Sequence, residues 1–393
     1  MALLTRPFLV VYVAWHPDFA EGEAIAKCLY EHYRRDLYEN VAGGAGLSVI
    51  YRSTPAPASD TPLDIDFNDA ETSAIVLLLD KHLLADPAWV TWAHDLANRA
   101  EASGLSARVF PVSIQREGLR LGLAEQAIRW HTWADVAPDE RRLQLIGSLT
   151  YQFSRMLRHY LAQLKHPTED EDALLQYLTK VAIFLSHSKH DPDGERIAKL
   201  IRDYLYRGEG DNLASFFDVH DIPAGLRFNK VILEKVKVSA VVAIHSDSYS
   251  SREWCRREII EAKKWSVPLV VANCVTDIDE RSFPYMGNVP LVRIDPNRAD
   301  RIHHIVRRLL DEVLKDFLWR CRTELATGKA GSDVTFLPRP PELISLAALK
   351  SLTSATLVYP DPPIGAEEQR LFEVITPGVR LRSMTEWLAE STV

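Results

Sequence analysis

The stretch from Ser239 to Ile259 reads SAVVAIHSDSYSSREWCRREI, and it decides the fold. Its apolar residues AVVAI form an unbroken run, which is typical of a strand buried on both faces of a sheet. The run gives way to serines and then to a helical pattern, for which Ser250 or Ser251 is the expected N-cap. A buried strand that leads into an amphipathic helix is the repeating unit of a parallel sheet covered by helices.

Similar apolar runs flank this stretch on both sides. They predict strands at residues 181–185, 213–217, 240–245 and 268–273, with a short edge strand at 291–294 and a long helix near 296–325. Five strands alternating with helices fit a flavodoxin-like α/β sheet. In such a sheet the ligand site lies at the carboxyl ends of the strands.

An earlier part of the chain repeats this pattern. VYVAWHPDFAEGEAIAKCLYEHYRR, from Val11, aligns without a gap with IFLSHSKHDPDGERIAKLIRDYLYR, from Ile183. SAIVLLLDKHLLADPAW, from Ser73, aligns with the start of the stretch at Ser239 when one residue is gapped. Both copies continue into a short apolar strand, RVFPVSI at 108–114 and VPLVVANCV at 267–275, and both end in a long amphipathic helix, near 138–164 and near 296–325. Short strand and helix patterns are common to all α/β folds, but equal order and near-equal spacing over these four segments favours a true repeat. We therefore predict two tandem flavodoxin-like units, each with a five-stranded parallel sheet and helices on both faces.

The predicted domains follow from the repeat and from changes in composition. The first unit covers residues 1–165, a polar and acidic linker covers 166–177, and the second unit covers 178–327. Residues 328–393 form a small βα appendage, with helices at 343–352 and 367–375 and strands at 355–359 and 379–382. Because it is too short for a strong core of its own, we expect it to pack against a partner or a neighbouring unit.

Composition narrows the possible functions. A formal net charge of −8 argues against nucleic acid as a partner, because phosphate backbones are bound by clustered Lys and Arg. The early apolar run FLVVYVAW at residues 8–15 is far shorter than the roughly 20 residues that span a bilayer, so no membrane segment is expected there. The four cysteines lack the spacing of a disulfide framework or a zinc site. We expect a cytoplasmic protein with no metal.

Three segments of the second unit supply polar side chains to the carboxyl ends of its strands. Ser186, His187 and Ser188 follow the first strand, and the loop FFDVHDIPAGLRF from Phe216 follows the second. In the third segment Trp254 and Glu258 are four residues apart, which places an indole and a carboxylate on one helical face. Hydroxyl, imidazole and carboxylate groups at this position suit a nucleotide.

These segments resemble TIR (Toll/interleukin receptor) domains of the bacterial type. VAIFLSHSKHD, FFDVHDIPAG and SAVVAIHSDSYSSREWCRREI occur in the family's order, and Trp254, Cys255 and Glu258 keep the spacing of its Trp-Cys-x-x-Glu segment. The resemblance implies a flavodoxin-like fold, cleavage of NAD+ by Glu258 as a hydrolase or cyclase, and activation by self-assembly through TIR surfaces. It also implies a role in antiphage defence or signalling, with a regulatory partner protein as a further option.

The predicted site therefore has Glu258 as its catalytic residue, NAD+ as the substrate and no cofactor. One carboxylate is sufficient in principle, because nicotinamide leaves as a neutral ring and needs no general acid. The residues expected to contact the substrate are Ser186, His187, Ser188, Asp218, Asp221, Gly225, Tyr249 and Trp254.

The first unit departs from this pattern at the decisive position. When Trp89 is placed opposite Trp254, Ala93 falls opposite Glu258, and Ala14 and Trp15 replace Ser186 and His187. Alanine cannot stabilise a cation, and Asp95 would lie on another helical face. The first unit is therefore predicted to be a degenerate, noncatalytic TIR-like domain that regulates or assembles.

Several alternatives stay open at this point. A lone Glu on a helix is usually a solvated residue, Trp254 can be a core aromatic, and His187 can be a satisfied polar residue. Cys255 near a helix N-terminus invites a nucleophile hypothesis, although its family position is structural. The whole chain can also be a noncatalytic scaffold that acts through homotypic TIR contacts. A response-regulator-like module is a third class, but it needs an acidic cluster where this chain has Ser186 to Ser188.

Overall fold

The computed structural model describes residues 6–34, 45–57, 59–167, 180–189, 191–206, 217–219, 233–276, 283–298, 301–328, 330–347, 349 and 355–390. The chain divides into two compact units, Met1–Phe153 and Ser154–Val393. Both are α/β, with parallel sheets. The boundary between the two units falls within the helix Pro138–Lys165. This helix ends at residue 165, where the sequence predicted the end of the first domain.

The first unit is built on four parallel strands within the described residues. They are β1 (Leu9–Ala14), β2 (Ser48–Arg52), β3 (Thr72–Leu79) and β4 (Ala107–Ser113), in the order β2-β1-β3-β4. The apolar runs of β1 and β3 take the two central places, and every residue in both strands is buried. The helices are α1 (Gly22–Tyr33), α2 (Lys81–Ala85), α3 (Pro87–Ala102) and α4 (Pro138–Lys165).

The fifth strand predicted for this unit is not confirmed. Ile128 forms only an isolated parallel bridge with Val112 at the β4 edge. Two 3-10 helices, Arg116–Leu121 and Trp130–Trp133, occupy most of the connection between β4 and α4. Because residues on both sides of Ile128 belong to these 3-10 helices, the pairing of this segment with β4 does not extend beyond one residue.

The second unit contains a five-stranded parallel sheet. Its strands are β5 (Val181–Ser186), β6 (Phe217–Val219), β7 (Ala240–His245), β8 (Leu269–Asn273) and β9 (Leu291–Arg293), in the order β6-β5-β7-β8-β9. The helices are α5 (Pro192–Tyr206), α6 (Glu253–Lys264) and α7 (Ile302–Thr327). This is the flavodoxin-like order 2-1-3-4-5, in which the chain reverses its winding direction between the first and third strands. The crevice for a ligand is therefore expected where β5 and β7 end.

The C-terminal segment has a small parallel sheet with its own apolar core. Its elements are β10 (Val334–Phe336), α8 (Leu343–Ala347), β11 (Thr356–Tyr359), α9 (Ala366–Ile375), β12 (Arg380–Ser383) and α10 (Met384–Glu390). Strand β10 and helix α10 were not among the predicted elements. Lys263 of α6 pairs with Glu342 at 2.7 Å, and Arg339 pairs with Glu312 of α7 at 2.9 Å. The appendage thus packs against α6 and α7.

Within the described part of the chain, no helix has both the length and the apolar character that crossing a membrane requires.

Candidate functional site

The candidate site lies at the carboxyl ends of β5 and β7, which are neighbours in the second sheet. Ser186 is the last residue of β5 and pairs in register with Ala243 of β7. Tyr249 belongs to the turn that follows β7, and α6 begins soon afterwards. The site therefore occupies the point where the winding direction of the sheet reverses, which is the usual place for a ligand in an open α/β fold.

Helix α6 carries Glu258 on its buried face. The buried residues of the helix are Cys255, Glu258, Ile259 and Ala262, and their spacing of three and four residues defines one stripe toward the core. A glutamate within such a stripe is unusual, because an ionised carboxylate loses hydration there. Glu258 is only 7% exposed, which excludes the alternative that it is a solvated glutamate on the helix surface.

The predicted N-cap of α6 is wrong. The cap position is held by Arg252, without a side-chain hydrogen bond. The Ser250 hydroxyl instead lies 2.9 Å from His245 Nε2, and the Ser251 hydroxyl donates to the Ser248 carbonyl. Both serines are thus engaged in the preceding turn, and the helix begins after them.

Three buried side chains form a continuous hydrogen-bonded chain. Ser186 Oγ donates to Glu258 Oε2 at 2.5 Å, and Tyr249 Oη lies 2.5 Å from the same serine oxygen. Because a serine has one proton to donate, the tyrosine must be the donor to Ser186 when Glu258 is ionised. Ser186 is 1% exposed and Tyr249 is fully buried. The order Tyr249, Ser186, Glu258 lets the donors polarise one another toward the carboxylate.

The Glu258 carboxyl group changes its protonation close to neutral pH. Burial raises its pKa from 4.5 to about 7, against the opposing effects of the Ser186 hydrogen bond and the positive charge of Lys189. Since the carboxylate titrates near the pH of a cell, this glutamate has the perturbed ionisation that is frequent at functional sites.

Cys255 does not have the properties of a nucleophile. It is buried beside Glu258, and burial together with that carboxyl group raises the pKa of the thiol to about 12. The sulfur therefore remains a protonated thiol at neutral pH, whereas nucleophilic attack requires a thiolate. This geometry supports the structural interpretation of the cysteine.

The loop after β5 brings further polar groups to the same edge. Ser188 accepts a hydrogen bond from Ser248 Oγ at 2.8 Å, and the backbone N–H of Asp193 donates to Asp191 at the start of α5. His187 is half-buried, and its Nδ1 lies 3.3 Å from the Leu185 carbonyl. Ser188 thus lies near this edge of the sheet, but its hydroxyl bonds to Ser248 and not to Glu258.

The remaining predicted contacts are placed less directly. Trp254 is half-buried, and the Arg257 guanidinium carbon lies 4.4 Å from the centroid of its indole ring. Its contact with the substrate stays a prediction. Asp218 lies in β6, but its side chain is outside the described part of the structure, as are Asp221 and Gly225.

Sequence reasoning missed His245 and Lys189. His245 ends β7 and packs edge-on against Tyr249, with ring centroids 5.9 Å apart. Burial holds its pKa below the ordinary value, against the pull of Asp247, so the ring is neutral at neutral pH. A signal for His245 was present, since it ends the apolar run of a central strand and therefore lies at the carboxyl edge of the sheet, where ligands bind.

The corresponding edge of the first sheet lacks these groups. Ala14 and Ala93, which align with Ser186 and Glu258, are both completely buried in an apolar core that includes Trp89. Trp15, which aligns with His187, is also buried. This edge therefore offers no carboxylate in the place that Glu258 occupies in the second unit.

A family model described as the TIR domain matches residues 183–306. The second unit thus carries a TIR domain, and the matched range contains Ser186, Tyr249 and Glu258. No curated protein matches the chain. Among solved structures, the C-terminal domain of glucosamine-fructose-6-phosphate aminotransferase from Francisella tularensis aligns over 80% of this chain and 86% of that chain, at 12% identity. Its TM-score of 0.20 is too low to bear on fold or function.

Proposed function

We propose that the chain is an NAD+ nucleosidase that releases nicotinamide, with Glu258 as the catalytic residue. The observation that carries the proposal is a buried, hydrogen-bonded carboxylate on α6, at the point where β5 and β7 end. The family includes members that cleave NAD+, and the TIR match covers this position. NAD+ is the substrate, and the reaction needs no cofactor.

The chemistry requires the bond between the ribose C1′ and the pyridinium nitrogen to break. Its electron pair returns to the ring, so nicotinamide leaves neutral and the ribose takes up positive charge. An ionised carboxylate next to that charge stabilises the transition state more than the ground state, which is the condition for catalysis. A water oxygen then bonds to C1′ and loses a proton, which gives ADP-ribose. In a cyclase, a nucleophile within the same ADP-ribosyl group takes the place of water.

The hydrogen-bonded chain assigns separate tasks to its members. Glu258 Oε2 accepts from Ser186, which leaves Oε1 to accept from a ribose hydroxyl or to face C1′. Tyr249 is fully buried, so it acts as a positioning residue through Ser186 instead of touching the substrate as the sequence suggested. Ser186 thereby restricts the carboxylate to one orientation.

Activation through self-assembly is the second part of the proposal. TIR domains associate with one another, and the loop containing Asp221 and Gly225 is the segment that the family resemblance assigns to contact with a neighbour. We place the protein in the cytoplasm, in bacterial antiphage defence or signalling, on the same resemblance.

The test is nicotinamide release by the purified full-length chain at increasing protein concentration. Glu258→Gln retains the shape of the side chain but removes its charge, and we expect it to lower kcat by about 10²–10³-fold. Glu253→Gln is the matched control, because Glu253 is exposed in the first turn of the same helix. Circular dichroism confirms that both variants are folded.

Two results would contradict the proposal. One is the absence of nicotinamide from the parent protein at every concentration, including those at which light scattering shows assembly. The other is equal release by Glu258→Gln and the parent. Mass spectrometry of the second product separates linear from cyclic ADP-ribose.

A further inference from the structure

A cavity lies at the carboxyl edge of the first sheet, beside the ends of β1 and β2. It has a volume of about 520 Å³ and is lined by residues after β1 and at the end of β2. Trp15 directly follows β1, Arg52 ends β2, and the Trp15 N–H donates to the Arg52 carbonyl at 3.3 Å. Ligand pockets commonly have volumes of about 300–1,000 Å³. The cavity therefore has the size and the position of a small-molecule site.

Aromatic rings form one side of this cavity. Trp15 and Tyr51 meet edge to face with ring centroids 5.5 Å apart, and Phe19 lines the same space. The Trp15 indole is fixed by its packing on Gly22, where an added Cβ would lie 2.0 Å from the ring. Tyr51 is 38% exposed, so its ring is open to a ligand. A rigid indole next to an accessible phenol suits a planar aromatic group.

Arg52 contributes a cation to the same cavity. It makes no ion pair with any residue in the described ranges, and its Nε is buried without a hydrogen-bond partner. Nη1 donates to the Tyr51 carbonyl at 3.1 Å, and the guanidinium carbon lies 5.2 Å from the centroid of the Tyr12 ring. These backbone and ring contacts hold the guanidinium in place without an ion pair to a described residue. A phosphate or carboxylate of a ligand is the natural partner of such a guanidinium.

The remaining polar groups are suited to sugar hydroxyls. Glu23 lies on the α1 side of the cavity, and Ser53 and Thr54 follow Arg52 at its rim. An acidic residue that accepts from ribose hydroxyls is a recurring feature of nucleotide sites in α/β folds. One cavity therefore contains an aromatic surface, a carboxylate that can accept from hydroxyls, and a cation that makes no ion pair with the described residues.

From this combination we propose that the first unit binds a nucleoside phosphate. The base lies against Tyr51 and Trp15, the ribose hydroxyls bond to Glu23, and the phosphate pairs with Arg52. The site is independent of the NAD+ cleavage proposed for the second unit, because all the residues that line it belong to the first unit.

Calorimetric titration of the full-length chain with AMP tests the proposal. Adenosine, which lacks the anion, and inorganic phosphate, which lacks the base, are the comparison probes. We expect AMP to bind at least about tenfold more tightly than either, because a charge-assisted hydrogen bond and ring stacking each contribute roughly that factor. Release of nicotinamide is not part of this readout, so failure of one proposal does not imply failure of the other.

Variants assign the binding to the first unit. Arg52→Gln is expected to weaken AMP binding by about 10–100-fold and to leave the weak binding of adenosine unchanged. Tyr51→Ala should weaken both AMP and adenosine. Arg120→Gln is the matched control, because Arg120 is exposed in the same unit and does not line the cavity. AMP that binds at the second unit should bind equally to all three variants. It would raise the number of AMP molecules bound per chain above one.

Arg52→Lys protects the test against a folding artefact, because it keeps the positive charge but loses the planar fork. It should bind AMP with intermediate affinity if the guanidinium contacts a phosphate. The proposal is overturned if AMP does not bind, if phosphate alone binds as tightly as AMP, or if Arg52→Gln and Arg120→Gln bind AMP equally.

Discussion

The two large sheets share the strand order 2-1-3-4, yet their carboxyl edges differ in chemistry. In the second sheet the space between β5 and β7 contains a buried chain of hydroxyls that ends in a carboxylate. In the first sheet the aligned positions hold Ala14 and Ala93, which pack into the apolar core. The open space there lies instead beside β1 and β2, around Trp15 and Arg52.

This difference shows how little of a functional site the fold itself specifies. Parallel strands with helices on both faces place an edge and a crevice in both units, but the side chains decide what the crevice can do. A buried carboxylate needs donors that are placed in advance, and the second unit supplies them through Ser186 and Tyr249. The first unit supplies none at the aligned positions, and an apolar alanine there avoids burying a charge without partners.

The strongest test of the contrast between the two sheet edges is to introduce the missing carboxylate into the first unit. Ala93→Glu buries an acidic side chain in the apolar cluster around Trp89, where Ala93 is completely buried. We expect it to lower the free energy of unfolding by about 4 kcal/mol or more and to add no nicotinamide release. Urea denaturation measures the first effect and an activity assay the second.

Asn98→Glu is the control for this substitution, because Asn98 is exposed on the same helix α3. Its effect should stay within about 0.5 kcal/mol. If Ala93→Glu were tolerated equally well, the first unit would contain a polar pocket at this position and the contrast between the two edges would be lost.

The second prediction concerns the energetic penalty of the carboxylate in the second unit. The folded-state pKa of Glu258 is raised to about 7 from an ordinary 4.5, so the folded protein holds a proton that the unfolded chain releases. The contribution of Glu258 to the free energy of unfolding is greatest below pH 4.5. It decreases as the pH rises and is smallest above pH 7. The change amounts to about 3 kcal/mol. Glu258→Gln should therefore be more stable than the parent at pH 8 and show little of this difference at pH 4.5.

Urea denaturation of the parent and of Glu258→Gln at both pH values checks this difference. Glu253→Gln is again the control, since its side chain is exposed and should give the same small difference at each pH. A Glu258→Gln protein that is less stable than the parent at pH 8 would mean that the carboxylate is stabilising, and that its burial does not conflict with folding.

Much of this architecture could be predicted from the sequence because most of its strands are continuous apolar runs. The strands of the second unit were expected within a residue or two of β5, β7, β8 and β9, and α4 was expected almost to its last residue. Edge pairing was predicted unevenly, since the edge strand β9 was expected but other edge elements were not. The isolated bridge at Ile128 and the short strand β10 are examples, because pairing at an edge depends on the neighbouring chain more than on local pattern.

The candidate site was predictable in part. The position of Glu258 follows from strand, turn and helix in order, and a TIR domain is confirmed at residues 183–306. The hydrogen bonds to Ser186 and the burial of Tyr249 could not be foreseen, because they depend on angles between elements. Whether Glu258 cleaves NAD+, and whether the first unit is a TIR-like repeat, stay predictions.

A pair of aligned glycines offers the third test of the comparison. Gly22 and Gly194 occupy matching positions near the starts of α1 and α5. A Cβ on Gly22 would lie 2.0 Å from the buried Trp15 ring, whereas a Cβ on Gly194 would find its nearest atom, Ser246 Oγ, at 3.4 Å. Gly22→Ala should therefore destabilise the protein by about 2 kcal/mol, and Gly194→Ala should change its stability by at most about 0.5 kcal/mol.

Thermal and urea denaturation compare the two alanine variants directly. Gly22→Ala should also weaken AMP binding, because relief of the collision moves the indole into the proposed cavity. Equal stability of the two variants would show that Trp15 moves freely, and the cavity would then lack the rigid aromatic surface that we assign to it.

The smallest effect is expected from Ser186→Ala, and it separates the role of the hydrogen bond from that of the charge. The Ser186 hydroxyl lowers the pKa of Glu258, so its removal should raise that pKa further. In the parent, kcat/KM for nicotinamide release should rise with pH through about 7, as the free enzyme's carboxylate ionises. In Ser186→Ala this rise should occur at higher pH, with a loss of about tenfold in kcat/KM at pH 6 and a smaller loss at pH 9.

Ser188→Ala is the control, because Ser188 bonds to Ser248. Its pH profile can change in height but should keep its midpoint. If both variants shift the midpoint equally, the effect comes from general disturbance of the loop after β5, and the specific link from Ser186 to Glu258 would have to be abandoned.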